Sequence, residues 1–180
     1  FKQVTNDSDA DTRPAWSPDG SRIAFERNST IYTIKPDGSN LTMVLENAKD
    51  PAWKPDGSKI AFRADRDNDN IDDLFTVNAD GSGVNQVTDS DSQVKTVAWS
   101  PNGSRIAFER GGTMYTIKPD GSDLTKVLEN AENPTWKPDG SVIGITADLD
   151  GDETFGPDLY TITPNGSNLT QVTDTDKREG

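Results

Sequence analysis

The chain has 180 residues, 31 acidic side chains against 18 basic ones, a formal charge of −13, and neither cysteine nor histidine. That composition excludes a disulfide framework, a thiolate metal site, a cysteine nucleophile and a Ser-His-Asp triad, and so acidic a chain is unsuited to gripping a nucleic-acid backbone. Of the acidic residues 24 are Asp and only 7 are Glu, a skew toward turns and hard-cation sites and away from helices. No apolar run approaches the ~20 residues of a membrane span. The missing initiator Met and signal peptide suggest a mature or excised form.

Hydrophobic residues make up 31% of the chain, a level at which disorder is the first expectation. Internal repeats oppose it. The segment W-x-P-[DN]-G-S begins at Trp16, Trp53, Trp99 and Trp136, with spacings of 37, 46 and 37 and so an internal period of 83. Residues 16–60 and 99–143 differ at 10 of 45 positions, which marks a recent duplication of a two-repeat unit.

Each repeat reads as four strands. The first carries the Trp. After the P-[DN]-G-S turn comes an alternating stretch: RIAFE at 22–26, KIAFR at 59–63, RIAFE at 105–109, VIGIT at 142–146. A third follows at 31–34, 74–77, 114–117 and 159–162, then a second [DN]-G-S turn, then a polar outer strand at 41–45, 85–88, 124–128 and 169–173. Period-two alternation between Pro, Asn, Asp and Gly clusters is the strand signature, and no segment has a helical period. Pro36 presets its own φ, Asp37 tolerates the next turn position and Gly38 supplies the left-handed residue of a bulged hairpin. The Trp residues are expected to pack between neighbouring blades.

Four strands in about 40–45 residues is a β-propeller blade. The pattern AWSPDGSRIAFERNSTIYTIKPDGSNLTMVL and its copies resemble the TolB-type (WD40-like) propeller repeat over nearly the whole chain. The resemblance implies an all-β propeller of four-stranded antiparallel blades, four per chain, at about 5–45, 46–88, 89–128 and 129–173, within one domain spanning 1–180. The chain begins FKQVT, which resembles the outer-strand segments NQVTD and TQVTD, so residues 1–4 are expected to be an extra outer strand; 174–180 is a tail. Three closures are open: a four-bladed ring, an eight-bladed ring made by a homodimer, or a fragment of a longer array. The two-repeat period favours the dimer.

The long and short repeats differ in the loop between the second and third strands. It is expanded at 64–75 and 147–160, with Asp at positions 1, 3 and 5 of each: Asp65, Asp67 and Asp69, then Asp148, Asp150 and Asp152. Alternate carboxylates on a curled loop supply the oxygens that Ca²⁺ takes at about 2.3–2.6 Å. In the first loop the Ile71 carbonyl and Asp73 fall at positions 7 and 9, giving a run that resembles the Ca²⁺ loops of integrin α-chain propellers; Asn70 stands where Gly is usual. The second loop departs from it: the carbonyl falls on Thr154 and the closing Asp158 comes two residues late. One Ca²⁺ per loop, two per chain, is the expected cofactor, since Mg²⁺ prefers more water and transition metals want His or Cys.

The resemblance implies a fold and no single activity, because the repeat occurs in periplasmic TolB, in secreted surface proteins and in propellers attached to peptidases and polysaccharide lyases. The reading carried forward is a non-catalytic, calcium-binding scaffold for a protein or glycan, with a basic partner suited to its acidic loops. The alternative is the propeller portion of a secreted hydrolase or polysaccharide lyase. Ca²⁺ loops make sense where free Ca²⁺ is millimolar, which places the protein in the periplasm or outside the cell.

Overall fold

The computed structural model describes residues 3–6, 8–149 and 156–174. Every regular element among them is a β-strand, and the sixteen strands form four antiparallel four-stranded sheets, each a propeller blade. The first holds β1 (Asp11–Trp16), β2 (Ile23–Arg27), β3 (Thr30–Ile34) and β4 (Thr42–Glu46), and the second β5 (Lys49–Trp53), β6 (Lys59–Ala64), β7 (Asp73–Asn78) and β8 (Asn85–Gln86). The third holds β9 (Val94–Trp99), β10 (Ile106–Arg110), β11 (Thr113–Ile117) and β12 (Thr125–Glu129), and the fourth β13 (Ala131–Trp136), β14 (Ile143–Ala147), β15 (Asp158–Ile162) and β16 (Thr170–Gln171). No helix long and apolar enough to cross a membrane occurs among the described residues. The chain divides into two compact units, Phe1–Gln93 and Val94–Gly180, each containing two sheets.

The turns form as their residues require. In the first hairpin the Gly20 amide donates to the Ser17 carbonyl at 2.9 Å, and Asp19 accepts from the Ser17 hydroxyl, the Ser21 amide and the Ser21 hydroxyl at 2.7–3.0 Å. Those bonds hold the Asp19 carboxyl at about 2, below its usual 3.8. A lowered folded-state pKa gives stability that is present above the unfolded value and lost as pH falls through the folded one. Asn102 accepts the same three bonds at the equivalent turn without a charge. An Asp19→Asn variant is therefore expected to melt slightly below the parent at neutral pH. Melting curves of the two proteins should converge as pH falls from 3.8 through about 2.

Within each unit the sheets are joined by an apolar layer. In the first, Ala24, Ile31 and Val44 on the trailing face of one sheet pack with Ile60, Phe62 and Phe75 on the leading face of the next. In the second, Ala107, Met114 and Val127 meet Ile143, Ile145 and Tyr160. The alternation read from sequence puts these residues on facing surfaces, so a modest share of hydrophobic residues still closes a core. Trp53 and Trp136 pack against the inter-sheet layers as expected. Trp53 and Trp136 are part-buried and donate their indole N–H groups to the carbonyls of Ala15 and Ala98, and Trp99 is buried. Trp16 departs from the expectation and is 58% exposed.

Candidate metal centre

The second-to-third-strand loop of the second sheet leaves β6 at Ala64 and enters β7 at Asp73. Asn68 and Asn70 both adopt left-handed backbone, φ 68° and 69°, the conformation that Asn tolerates better than most residues and that the Asn at position 6 was expected to need. The curl turns backbone amides inward. Asn68 and Asn70 donate to the two oxygens of Asp65 at 2.8 and 3.0 Å, and Ile71 donates to Asp69 at 2.8 Å. Asp65, Asp67 and Asp69 converge, each with an oxygen within 4.8 Å of the others. Two ligands of one Ca²⁺ lie at most about twice 2.3–2.6 Å apart, so this spacing fits a single hard cation. A cleft of about 240 Å³ lined by Asn47, Asp65, Arg66 and Asn68 opens beside it.

Asp73 is not in that cluster. As the first residue of β7 it turns its carboxylate toward the outer strand, where it accepts from the Thr88 hydroxyl at 2.8 Å and the Gln86 amide at 3.3 Å. Burial pushes its carboxyl up and the charges of Asp89 and Asp67 add to that, while the Thr88 and Gln86 hydrogen bonds oppose it. Ile71 enters the site through the amide that anchors Asp69.

In the second loop, Asp150, Asp152 and Thr154 lie outside the described residues. Asp148 is half-buried just beyond β14. Asp158 repeats the role of Asp73: it heads β15, is buried, and accepts from Gln171 at 2.7 Å and Thr173 at 3.2 Å. Residues 73 and 158 are thus latches that fasten the outer strand to the third. The triplet Gln-Val-Thr, present at 3–5, 86–88 and 171–173, was the sequence signal for them.

Sequence reasoning also missed a polar network beside the loop in the first unit. Arg63, on β6, pairs with Asp50 and reaches Asp72 at 3.3 Å; Asp72 also takes Lys49 at 3.0 Å. Arg13 pairs with Asp50 and approaches Glu26 at 3.5 Å. Left-handed residues immediately before prolines, Arg13 before Pro14 and Asp50 before Pro51, bulge β1 and β5 and aim these side chains at one another. In the second unit the corresponding residues are Thr96, Asn133, Thr146 and Pro157, and buried Glu109 is met by Lys95 at 2.9 Å.

Four-stranded antiparallel blades carrying W-x-P-[DN]-G-S turns define a β-propeller protein. The TolB beta propeller domain family matches residues 1–176, and the chain belongs to that family. Among solved structures, it resembles a putative TolB from Agrobacterium tumefaciens (TM-score 0.75, 19% identity, 95% of this chain and 64% of that one). It also resembles TolB from Acinetobacter baumannii (TM-score 0.71, 17% identity, 94% and 45%) and an oligogalacturonate lyase in complex with manganese (TM-score 0.76, 16% identity, 95% and 55%). The chain therefore spans less than two thirds of each of these neighbours, and identities this low establish the fold alone. No curated protein sequence matches it.

Proposed function

We propose that this chain is a non-catalytic, Ca²⁺-stabilised propeller module that presents a binding face to a protein or glycan in the periplasm or outside the cell. The observation that carries the reading is the convergence of Asp65, Asp67 and Asp69 within 4.8 Å on a loop whose backbone is pinned to their oxygens. Three carboxylates so close repel one another unless a cation neutralises them. The second acidic loop, from Asp148 to Asp158, repeats the Asp spacing at the same blade position, which supports a second ion per chain. The remaining buried carboxylates support a role without catalysis. Among the described residues Asp73 and Asp158 are held as latches, Asp72 is held by Lys49 and Arg63, and Glu109 is met by Lys95, so each is already engaged. With a charge of −13, the module favours a basic partner.

Thermal melting in EGTA and in millimolar Ca²⁺ tests the reading. Saturation a hundredfold above the dissociation constant stabilises by about 2.7 kcal/mol, so the melting temperature is expected to rise by several degrees. Asp67→Asn, which leaves the amide bonds to Asp65 in place, should lose most of the rise. Identical melting curves in EGTA and Ca²⁺ would overturn the proposal. The second reading, a portion of a polysaccharide lyase, draws on the likeness to the manganese-bound oligogalacturonate lyase. Release of unsaturated sugar from polygalacturonate would favour it.

A further inference from the structure

The second unit repeats the first at an offset of 83 residues as far as its acidic loop, so the two can be compared position by position. The polar network beside the first loop changes sharply between them. In the first unit Arg13, Lys49 and Arg63 supply cations to the carboxylates of Glu26, Asp50 and Asp72. The same six positions of the second unit hold two glutamates, Glu109 and Glu132, and no cation. Thr96 and Thr146 stand in the places of the two arginines, and a lysine, Lys95, replaces Thr12 beside them.

The change falls hardest on a buried carboxylate. Glu26 has the Arg13 guanidinium at 3.5 Å and accepts from the Asp50 amide at 3.3 Å. Its counterpart Glu109 is 1% exposed and has the Lys95 amine 2.9 Å from Oε1, an ion pair without the alignment of a hydrogen bond. Thr96 Oγ1 is buried and makes no hydrogen bond. Among the described residues these are the only buried side-chain oxygens left so, and both belong to one strand pair, β9 and β10, where its register shifts. A carboxylate can accept from several donors, and acceptor capacity unmet inside a protein costs free energy.

A cleft lies at the same positions. It has a volume of about 490 Å³, and Glu132, Thr146 and Pro157 in its lining are the counterparts of Lys49, Arg63 and Asp72. Threonine and proline are shorter than the residues they replace, so room opens where the first unit is filled by its own side chains. The volume falls within the roughly 300–1,000 Å³ of small-ligand sites. Glu109 stands three residues before Gly112, which also lines the cleft, and shares a strand face with Ala107 in the layer between the third and fourth sheets. Its contact with Lys95 pushes that amine up, and the charge of Glu132 adds to the effect. One lysine therefore stands between the buried carboxylate and the carboxylate of the cleft.

We propose that this cleft is a receptor for a guanidinium group carried on a flexible arm. The guanidinium plays in the second unit the part that Arg13 and Arg63 play in the first. Its N–H groups donate to Glu109 and Thr96 Oγ1 at the inner end and to Glu132 at the mouth. Five donors on a rigid fork suit acceptors that diverge in this way, whereas an ammonium group is a compact point charge. A hard cation would need the oxygens gathered around one centre. The first unit already meets the corresponding glutamate with arginine, which is the observation that selects the ligand chemistry. The proposal rests on the binding-module reading only in taking a basic partner, and it uses no ion in either acidic loop.

Titration of the isotopically labelled 180-residue protein with Nα-acetylarginine methylamide, followed by amide chemical shifts in EGTA, tests this. Saturable shifts are expected at Thr96, Glu109 and Glu132, with Nα-acetyllysine methylamide binding about tenfold more weakly or worse. Glu132→Lys, which restores the charge of Lys49, is expected to weaken the arginine probe about tenfold or more. The same change at exposed Glu46, in the first unit, should leave it unaltered. Thr146→Arg gives the chain its own guanidinium at the cleft, and is expected to abolish binding and raise the melting temperature. Free arginine as a third probe separates the sources. Tighter binding of the blocked amide identifies a protein side chain, and tighter binding of the free amino acid identifies a small molecule. Shifts that do not saturate, equal binding of the arginine and lysine probes, or equal losses from the changes at Glu132 and Glu46 would overturn the proposal. With EGTA present throughout, failure of the Ca²⁺ effect on melting would leave this result standing.

Discussion

Phe62→Ala is expected to lower the unfolding free energy by about 3–5 kcal/mol, the range for removing a large aromatic from a core that collapses only partly around the gap. Phe62 is fully buried, stacks on Phe75 with ring centroids 5.6 Å apart, and belongs to the layer that joins the two sheets of the first unit. Its neighbours come from two strands of its own sheet and from the trailing face of the other, so no single side-chain movement fills the space. A protein with total stability of about 5–15 kcal/mol loses a large fraction of it. Urea unfolding followed by dichroism would check this. A loss under about 1 kcal/mol would mean that the layer repacks as freely as a surface.

Arg63→Met is expected to cost a comparable amount, about 3–5 kcal/mol, for a different reason. Methionine fills much of the volume, so the loss is electrostatic: Asp72, 3% exposed, would lose its guanidinium partner, and Asp50 would keep only Arg13 of its two. Burial works against the Arg63 charge, and the nearby Asp72 and Glu26 favour it. A charge left behind without its partner costs far more than the pair contributes on its own. Lys49 would remain near Asp72 and soften the effect there. Adding Asp72→Asn to the Arg63→Met background should recover some of the loss, and denaturant midpoints of the single and double variants measure that recovery. Midpoints no higher in the double variant would show that Asp72 is not the group left unpaired.

The strands and turns were legible because each is decided locally. Gly38, with φ 91°, and the Asp19 turn follow from three or four residues, and the alternation in 59–63 sets which side of β6 faces the core. The convergence of Asp65, Asp67 and Asp69 was legible for the same reason, since one short loop contains all three. Asp73 shows where that reasoning stops. Spacing from Asp65 suggested a ninth-position ligand, but the strand begins at Asp73 itself, and strand geometry directs its carboxylate to Thr88 on another strand. The Arg63 network was illegible because its members come from four strands and a loop, and only the pairing of sheets brings them together. The exposure of Trp16 has the same origin: its motif is identical to that of Trp53, and only the neighbouring sheet distinguishes them.

The contact between a valine carbonyl and a turn glycine, made by Val4, Val44 and Val127 on Gly38, Gly81 and Gly166, involves main-chain atoms on one side and a missing side chain on the other. It consults almost none of the sequence that varies from repeat to repeat. Blades that keep the turn glycine are to that extent interchangeable at their seams, and an array built of them can lengthen or shorten by recombination without redesigning each seam. Its weak point is equally general: alanine at any one of those glycines would push neighbouring blades apart wherever in the array it fell.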